Sequence, residues 1–164
     1  MLALPAAALR ARAEGPESAT PTRRRVADAI LGIRIGSEFE KAAHTLAPHL
    51  GGKEEERGEE EEDSESERGE GRKRVWTLKS SAYRYVVVVA DARGKVAGVS
   101  GFARAGREIP FSRLGDLREA HRAGTAMAVW NVRTPKGAYR LVAKGENGKA
   151  RVVSLLSLAL PPIE

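Results

Sequence analysis

The chain has 164 residues and no cysteine, which excludes disulfide bonds, thiol nucleophiles and thiolate zinc sites. Its formal net charge of +6 is unevenly distributed, because residues 54–70 hold eleven of the twenty-two acidic side chains and only two arginines. The remaining 26 basic and 11 acidic side chains give the rest of the chain a net charge of +15. The composition is that of a basic body with an acidic insert, of a length typical of one domain.

Residues 1–25 are rich in Ala, Pro and Arg and show no hydrophobic periodicity, so we interpret them as a signal-like segment and linker. The opening MLALPAAALRARA places a short apolar stretch before Ala11-Arg12-Ala13, a pattern typical of a signal-peptide cleavage site. We therefore expect a periplasmic or secreted protein; the alternative is a cytoplasmic protein with an alanine-rich tail. No run reaches the roughly 20 apolar residues of a membrane span. Without cysteine, no lipid anchor is expected.

The next segment predicts a short helix. Ser37 and Glu40 have the spacing of a capping box, in which each side chain binds the backbone amide at the other position. Four apolar residues then follow at i, i+3, i+4 and i+7, and Pro48 ends the pattern. They are Phe39, Ala42, Ala43 and Leu46.

Residues 52–73 carry dense charge and no apolar side chain, so they cannot offset the entropy cost of ordering. The sequence predicts a disordered acidic loop here. Because the rest of the chain is basic, we expect this loop to fold back on it as an electrostatic shield.

Strands are predicted over residues 75–79, 85–90 and 96–103, and again over 126–133, 138–144 and 151–158. Between the two sets, a second helix is predicted from four apolar residues at helical spacing. They are Phe111, Leu114, Leu117 and Ala120.

The two strand regions resemble each other, since VWTLKSSAYRYVVVVADARGK is echoed by VWNVRTPKGAYRLVAKGENGK. A shift of 54 residues pairs Trp76 with Trp130 and Gly94 with Gly148, whereas a shift of 56 pairs Tyr83 with Tyr139. Both shifts are even, so either keeps the same side chains on the same face of a sheet. We interpret both tryptophans as core residues and both glycines as turn residues.

The echo predicts an α+β fold of two helix-plus-three-strand repeats, with the helices on one face of a mainly antiparallel sheet. The predicted domain spans 26–158, with repeats at about 33–104 and 109–158 and a tail at 159–164.

A family resemblance rests on Ile35-Gly36-Ser37, the predicted helix after it, Leu46-Ala47-Pro48, and a Trp opening the first strand. These features resemble the small outer-membrane lipoprotein (SmpA/OmlA) module, and the wider group is similar to the β-lactamase inhibitor protein fold. Ser37 and Ala47 depart from the family's usual Met and Gly. The resemblance implies a cell-envelope or secreted protein whose sheet is a docking surface for another protein.

No catalytic constellation, metal site, phosphate loop or cofactor motif is found, so we predict a protein without enzymatic activity, metal or cofactor. Tyrosine and arginine are the composition that interface hot spots favour. The candidate binding residues are Tyr83, Arg84, Tyr85, Arg104, Tyr139 and Arg140. The alternative function is a nucleic-acid or polyanion binder that is inhibited by the acidic loop; scattered bases make it the less favoured reading.

Overall fold

The structure is a computed structural model, and it describes residues 25–50 and 72–158. The predicted signal-like segment, apart from Arg25, and the predicted tail 159–164 lie outside the described residues. The predicted acidic loop also lies outside them, except for its last two positions, Arg72 and Lys73.

The described residues form mostly β-strands with two short helices. Helix α1 spans Lys41–Leu46 and continues into a 3₁₀ turn over Ala47–His49; helix α2 spans Phe111–Leu114 and is followed by a 3₁₀ turn over Leu117–Glu119. The strands are β1 Lys73–Thr77, β2 Tyr83–Ala90, β3 Val96–Ala103, β4 Ile109–Pro110, β5 Arg122–Ala123, β6 Met127–Thr134, β7 Gly137–Glu146 and β8 Lys149–Leu158.

All eight strands belong to one antiparallel sheet in the order β1-β2-β3-β8-β7-β6-β5, with β4 paired to β8. Two three-stranded meanders, β1 to β3 and β6 to β8, therefore meet where β3 pairs with β8. Gly94 and Gly148 lie in the hairpin turns of these meanders with φ of 71° and 72°. Both turns thus use the left-handed backbone region that favours glycine.

The predicted α+β repeat is wrong, because the second predicted helix ends after four residues. Phe111 and Leu114 are buried, as their spacing indicates, but Gly115 is extended, with φ 177° and ψ 172°. A Cβ at Gly115 would lie 2.9 Å from Nε1 of Trp130, which itself donates a hydrogen bond to the Asp116 carbonyl at 2.9 Å. The chain thus bends around the Trp130 ring instead of continuing as a helix. The fold is a mostly antiparallel sheet, not two helix-plus-three-strand units.

The first helix forms, but the predicted capping box does not. The helix begins at Lys41, one residue after Glu40, and Glu40 makes no capping hydrogen bond. Its carboxylate pairs with Arg72. The Ser37 hydroxyl donates to the carbonyl of Arg34 at 2.6 Å, which closes the turn before the helix.

One face of the sheet holds the hydrophobic core. Cross-strand partners lie on the same face of a sheet, so the pairing register assigns each residue to a face. Trp76 and Trp130 share the core face; Trp130 is buried, and Trp76 is half-buried with its ring centroid 6.4 Å from that of Phe39. The apolar residues of α1 and α2 pack on this face, together with the segment around Ile30 and Ile33.

Two glycines of β3 offer a matched test of the core packing. A Cβ at Gly101 would lie 2.6 Å from Cε1 of the buried Tyr83 ring, whereas a Cβ at Gly98 has no contact closer than 3.5 Å. We expect Gly101→Ala to lower the free energy of unfolding by about 1–3 kcal/mol, because the buried ring must shift to make room for the methyl group. Gly98→Ala is expected to change it by less than about 0.5 kcal/mol. Urea denaturation measures both, and equal effects would contradict this packing.

Candidate docking face

The candidate site is the second face of the sheet, which we call the outer face. It consists of eighteen positions that the register places in three rows across six strands. The rows are Thr77, Tyr85, Phe102, Val152, Lys144 and Met127; Val75, Val87, Ser100, Ser154, Val142 and Val129; and Lys73, Val89, Gly98, Leu156, Arg140 and Asn131.

The outer face is unusually apolar. Ten of its eighteen positions carry apolar side chains, whereas the solvent side of an antiparallel sheet is normally polar. None of the eighteen belongs to the hydrophobic core cluster of the described residues, so α1 and α2 leave this face uncovered. Val75 and Leu156 are 48% and 42% exposed, and most of the other apolar side chains are half-buried. Residues 25–50 and 72–158 thus present a second apolar surface, on the side opposite their core.

Interactions within the outer face hold its side chains in place. The rings of Tyr85 and Phe102 stack with centroids 4.3 Å apart and planes at 18°. At the centre, where the two meanders meet, the hydroxyls of Ser100 and Ser154 form a hydrogen bond of 2.7 Å. Each hydroxyl therefore has a partner within the face, which lowers the cost of covering this pair with another surface.

Most cations of the outer face lie on its β6–β7 side, and Lys73 lies at the opposite edge, in β1. Arg140 and Lys144 occupy face positions in β7, and Arg133 follows the same alternation in β6; all three are exposed. Nε of Arg140 donates to Oδ1 of Asn131, directly opposite in β6, at 2.8 Å. None of the eighteen face positions is Asp or Glu.

The six predicted binding residues do not form one patch. Tyr85 and Arg140 lie on the outer face, whereas Tyr83 and Tyr139 are buried on the core face. The Tyr139 hydroxyl donates to the Ala27 carbonyl at 3.2 Å, so it anchors the segment before the first helix. The 54-residue shift between the two similar sequence stretches also pairs Tyr85 with Tyr139. The structure places these two residues on opposite faces of the sheet.

The remaining two predicted residues are arginines near the end of the first hairpin. Arg104 donates to the carbonyls of Leu78 and Ser81, which fastens the loop between β1 and β2. Arg84 is exposed and is the extra residue of a β-bulge, because Tyr83 pairs with Ala103 while Tyr85 pairs with the adjacent Phe102.

Sequence reasoning missed the aliphatic residues that dominate the outer face, such as Val87, Val89 and Leu156. A signal for them exists in the runs Tyr-Val-Val-Val-Val-Ala at 85–90 and Val-Val-Ser-Leu-Leu at 152–156. Strands with one solvated face alternate apolar and polar residues, whereas strands covered on both faces read as continuous apolar runs. The missing alternation therefore indicates a sheet with apolar side chains on both faces.

Other site types find no support in the described ranges. Residues 25–50 and 72–158 contain no cluster of three or more His, Asp or Glu side chains that could hold a metal ion. Within those same ranges, no helix has the length and apolar character needed to cross a membrane.

No protein family, no curated protein and no solved structure matches the chain.

Burial of Tyr83 makes the stability of the protein depend on pH in the alkaline range. Removal from solvent raises the pKa of this phenol from 10.0 to about 12. The unfolded chain therefore releases this proton at lower pH than the folded protein, so stability falls as pH rises from about 10 to about 12. We expect a loss on the order of 2–3 kcal/mol across this window.

Tyr83→Phe should remove this contribution to the decrease of the unfolding free energy with pH, because phenylalanine has no proton to release. Urea denaturation at a series of alkaline pH values measures it. An identical slope in Tyr83→Phe and the natural sequence would show that this phenol is not buried.

Proposed function

We infer that the protein is a non-enzymatic interaction module that binds another protein through its outer face, and that it acts in the cell envelope or after secretion. The observation that carries the docking role is the apolar outer face, which no described element covers. Burying apolar surface is the main favourable term in protein association, at roughly 25 cal/mol per Å². The envelope location rests on the N-terminal pattern and the family resemblance alone.

The shape of the side chains favours a protein as the occupant. Valine is the commonest residue of the outer face, and its short branched side chain gives a flat, rigid surface suited to packing against another sheet or helix. Neither tryptophan lies on this face, although tryptophan is characteristic of proteins that sit at a membrane interface. A second copy of the chain is disfavoured, because none of its eighteen face positions is Asp or Glu and so it offers no carboxylate there for the cations of β7.

Polyanion binding is the second candidate, and it is supported by charge. The described residues carry 21 basic and 8 acidic side chains, a net charge of +13. Single-stranded nucleic acids are often bound by stacking of bases on aromatic rings. Here Tyr85 and Phe102 already stack on each other, and Arg74 lies over the Trp76 ring, which argues against this candidate. Binding that collapses steeply as salt rises would favour this candidate over protein docking.

Photo-crosslinking in the organism that encodes the protein tests the proposed docking face. A benzophenone amino acid at Val75 or Leu156 is expected to give one major protein adduct. The same group at Leu117, which is 40% exposed in the 3₁₀ turn after α2, is expected to give none.

The adduct formed from position 75 should disappear when Val87→Asp is added, because a charge in the centre of the face prevents apolar contact. An adduct of equal yield from position 117, or one that survives Val87→Asp, would contradict docking at this face. Recovery of the adduct from the cytosol would contradict only the envelope location.

A further inference from the structure

We propose that the partner of the outer face is acidic: a protein surface with an apolar centre and carboxylates placed against the cations of β6 and β7. This inference rests on the proposed docking function and specifies the chemistry of the partner. It is carried by how charge is distributed over the outer face.

Three cations of the outer face (Arg133, Arg140 and Lys144) are grouped on its β6–β7 side, whereas Lys73 lies alone at the opposite edge, in β1. Arg140 and Lys144 are four residues apart in one strand and so lie about 13 Å apart. Arg133 is the diagonal cross-strand neighbour of Arg140, a separation of about 7–8 Å between backbones. The strands β2, β3 and β8 contribute no charged side chain to the eighteen face positions. A partner that covers the whole face must therefore meet an apolar region and, beside it, a positively charged one.

These three cations lack acidic neighbours on the face. None of the ion pairs within residues 25–50 and 72–158 involves Arg133, Arg140 or Lys144. The hydrogen bond from Arg140 to Asn131 uses Nε and so fixes the guanidinium over the face. Both Nη groups then remain available to bind a carboxylate end-on through two hydrogen bonds, a bidentate geometry that suits arginine.

The acidic insert of the chain itself cannot take the place of such a partner. Residues 51–71 contain eleven acidic side chains but no apolar one, so they could neutralise cations without covering the valines and Leu156. An occupant that satisfies both halves of the face needs apolar groups as well as carboxylates. The proposed partner protein supplies that combination.

Charge complementarity acts mainly on the association rate, whereas apolar contact acts mainly on dissociation. This difference separates the proposal from the docking function on which it rests. Selection of binders from a random peptide display library, with the full-length protein as bait, supplies the probe. We expect the selected peptides to be enriched in both aliphatic residues and Asp or Glu.

The test compares three variants by surface plasmon resonance with a selected peptide. Reversal of the three cations (Arg133→Glu, Arg140→Glu, Lys144→Glu) should slow association about tenfold at low salt, and the difference should shrink as salt rises. The control variant reverses three exposed arginines that lie off the outer face, Arg93, Arg107 and Arg113. It changes the net charge by the same amount, and its association rate should stay within about twofold of that of the natural sequence. Val87→Asp should accelerate dissociation.

The outcomes separate the two claims. Peptides without acidic enrichment, or equal slowing by the two charge reversals, would overturn the acidic partner while leaving the docking face intact. Binding that is indifferent to Val87→Asp would overturn the docking face itself. The last measurement uses vesicles of equimolar phosphatidylglycerol and phosphatidylcholine. If the protein binds these vesicles, and both the reversal of the three face cations and Val87→Asp abolish that binding, the face binds an anionic membrane. That result would overturn a protein partner.

Discussion

The strands at the centre of this sheet carry apolar side chains on both faces, and that constraint shapes the rest of the molecule. In β2, the side chains of Val86 and Val88 point into the core, and those of Val87 and Val89 lie on the outer face. The described chain supplies a cover for only one face. A sheet of this kind gains further stability when the other face is covered as well, which is why we place the function of the protein there.

The covered face shows how the chain makes a core with little helix. The buried Trp130 ring packs on the core face of the sheet, and the chain bends closely around this ring at Gly115. The segment before α1 is fastened to the same region, since the Ala27 amide donates to the Leu114 carbonyl at 2.7 Å. The short helices and turns thus act as a lid of irregular chain over one side of the sheet. They are too few to reach the other side.

The strands could be located from the sequence, because alternation and turn residues are local signals. Predicted and observed limits agree to within about two residues for all six long strands. The second helix could not be excluded in this way. Phe111 and Leu114 satisfy a helical spacing in a single turn, and the contact that ends the helix comes from Trp130, fifteen residues after Gly115.

The candidate site was harder to predict than the strands. The bulge at Arg84 moves Tyr83 to the core face, although simple alternation places it with Tyr85. A single extra residue therefore reverses the exposure of a side chain, and nothing local in the sequence marks it. The aromatic and cationic composition that suggested binding residues also describes Tyr139 and Arg104, which hold the fold together. The continuous apolar runs are the better signal, because they report on two apolar faces at once.

The absence of cysteine makes the central claim directly measurable. Val87→Cys and Val88→Cys place one thiol on each face of β2, at adjacent positions, in the full-length protein. Under native conditions the thiol at position 87 should react with iodoacetamide freely, while that at position 88 should react roughly a hundredfold more slowly, because the buried site requires local unfolding. Equal protection of both thiols would show that the chain covers its own outer face, and the account of that face as a docking surface would then be wrong.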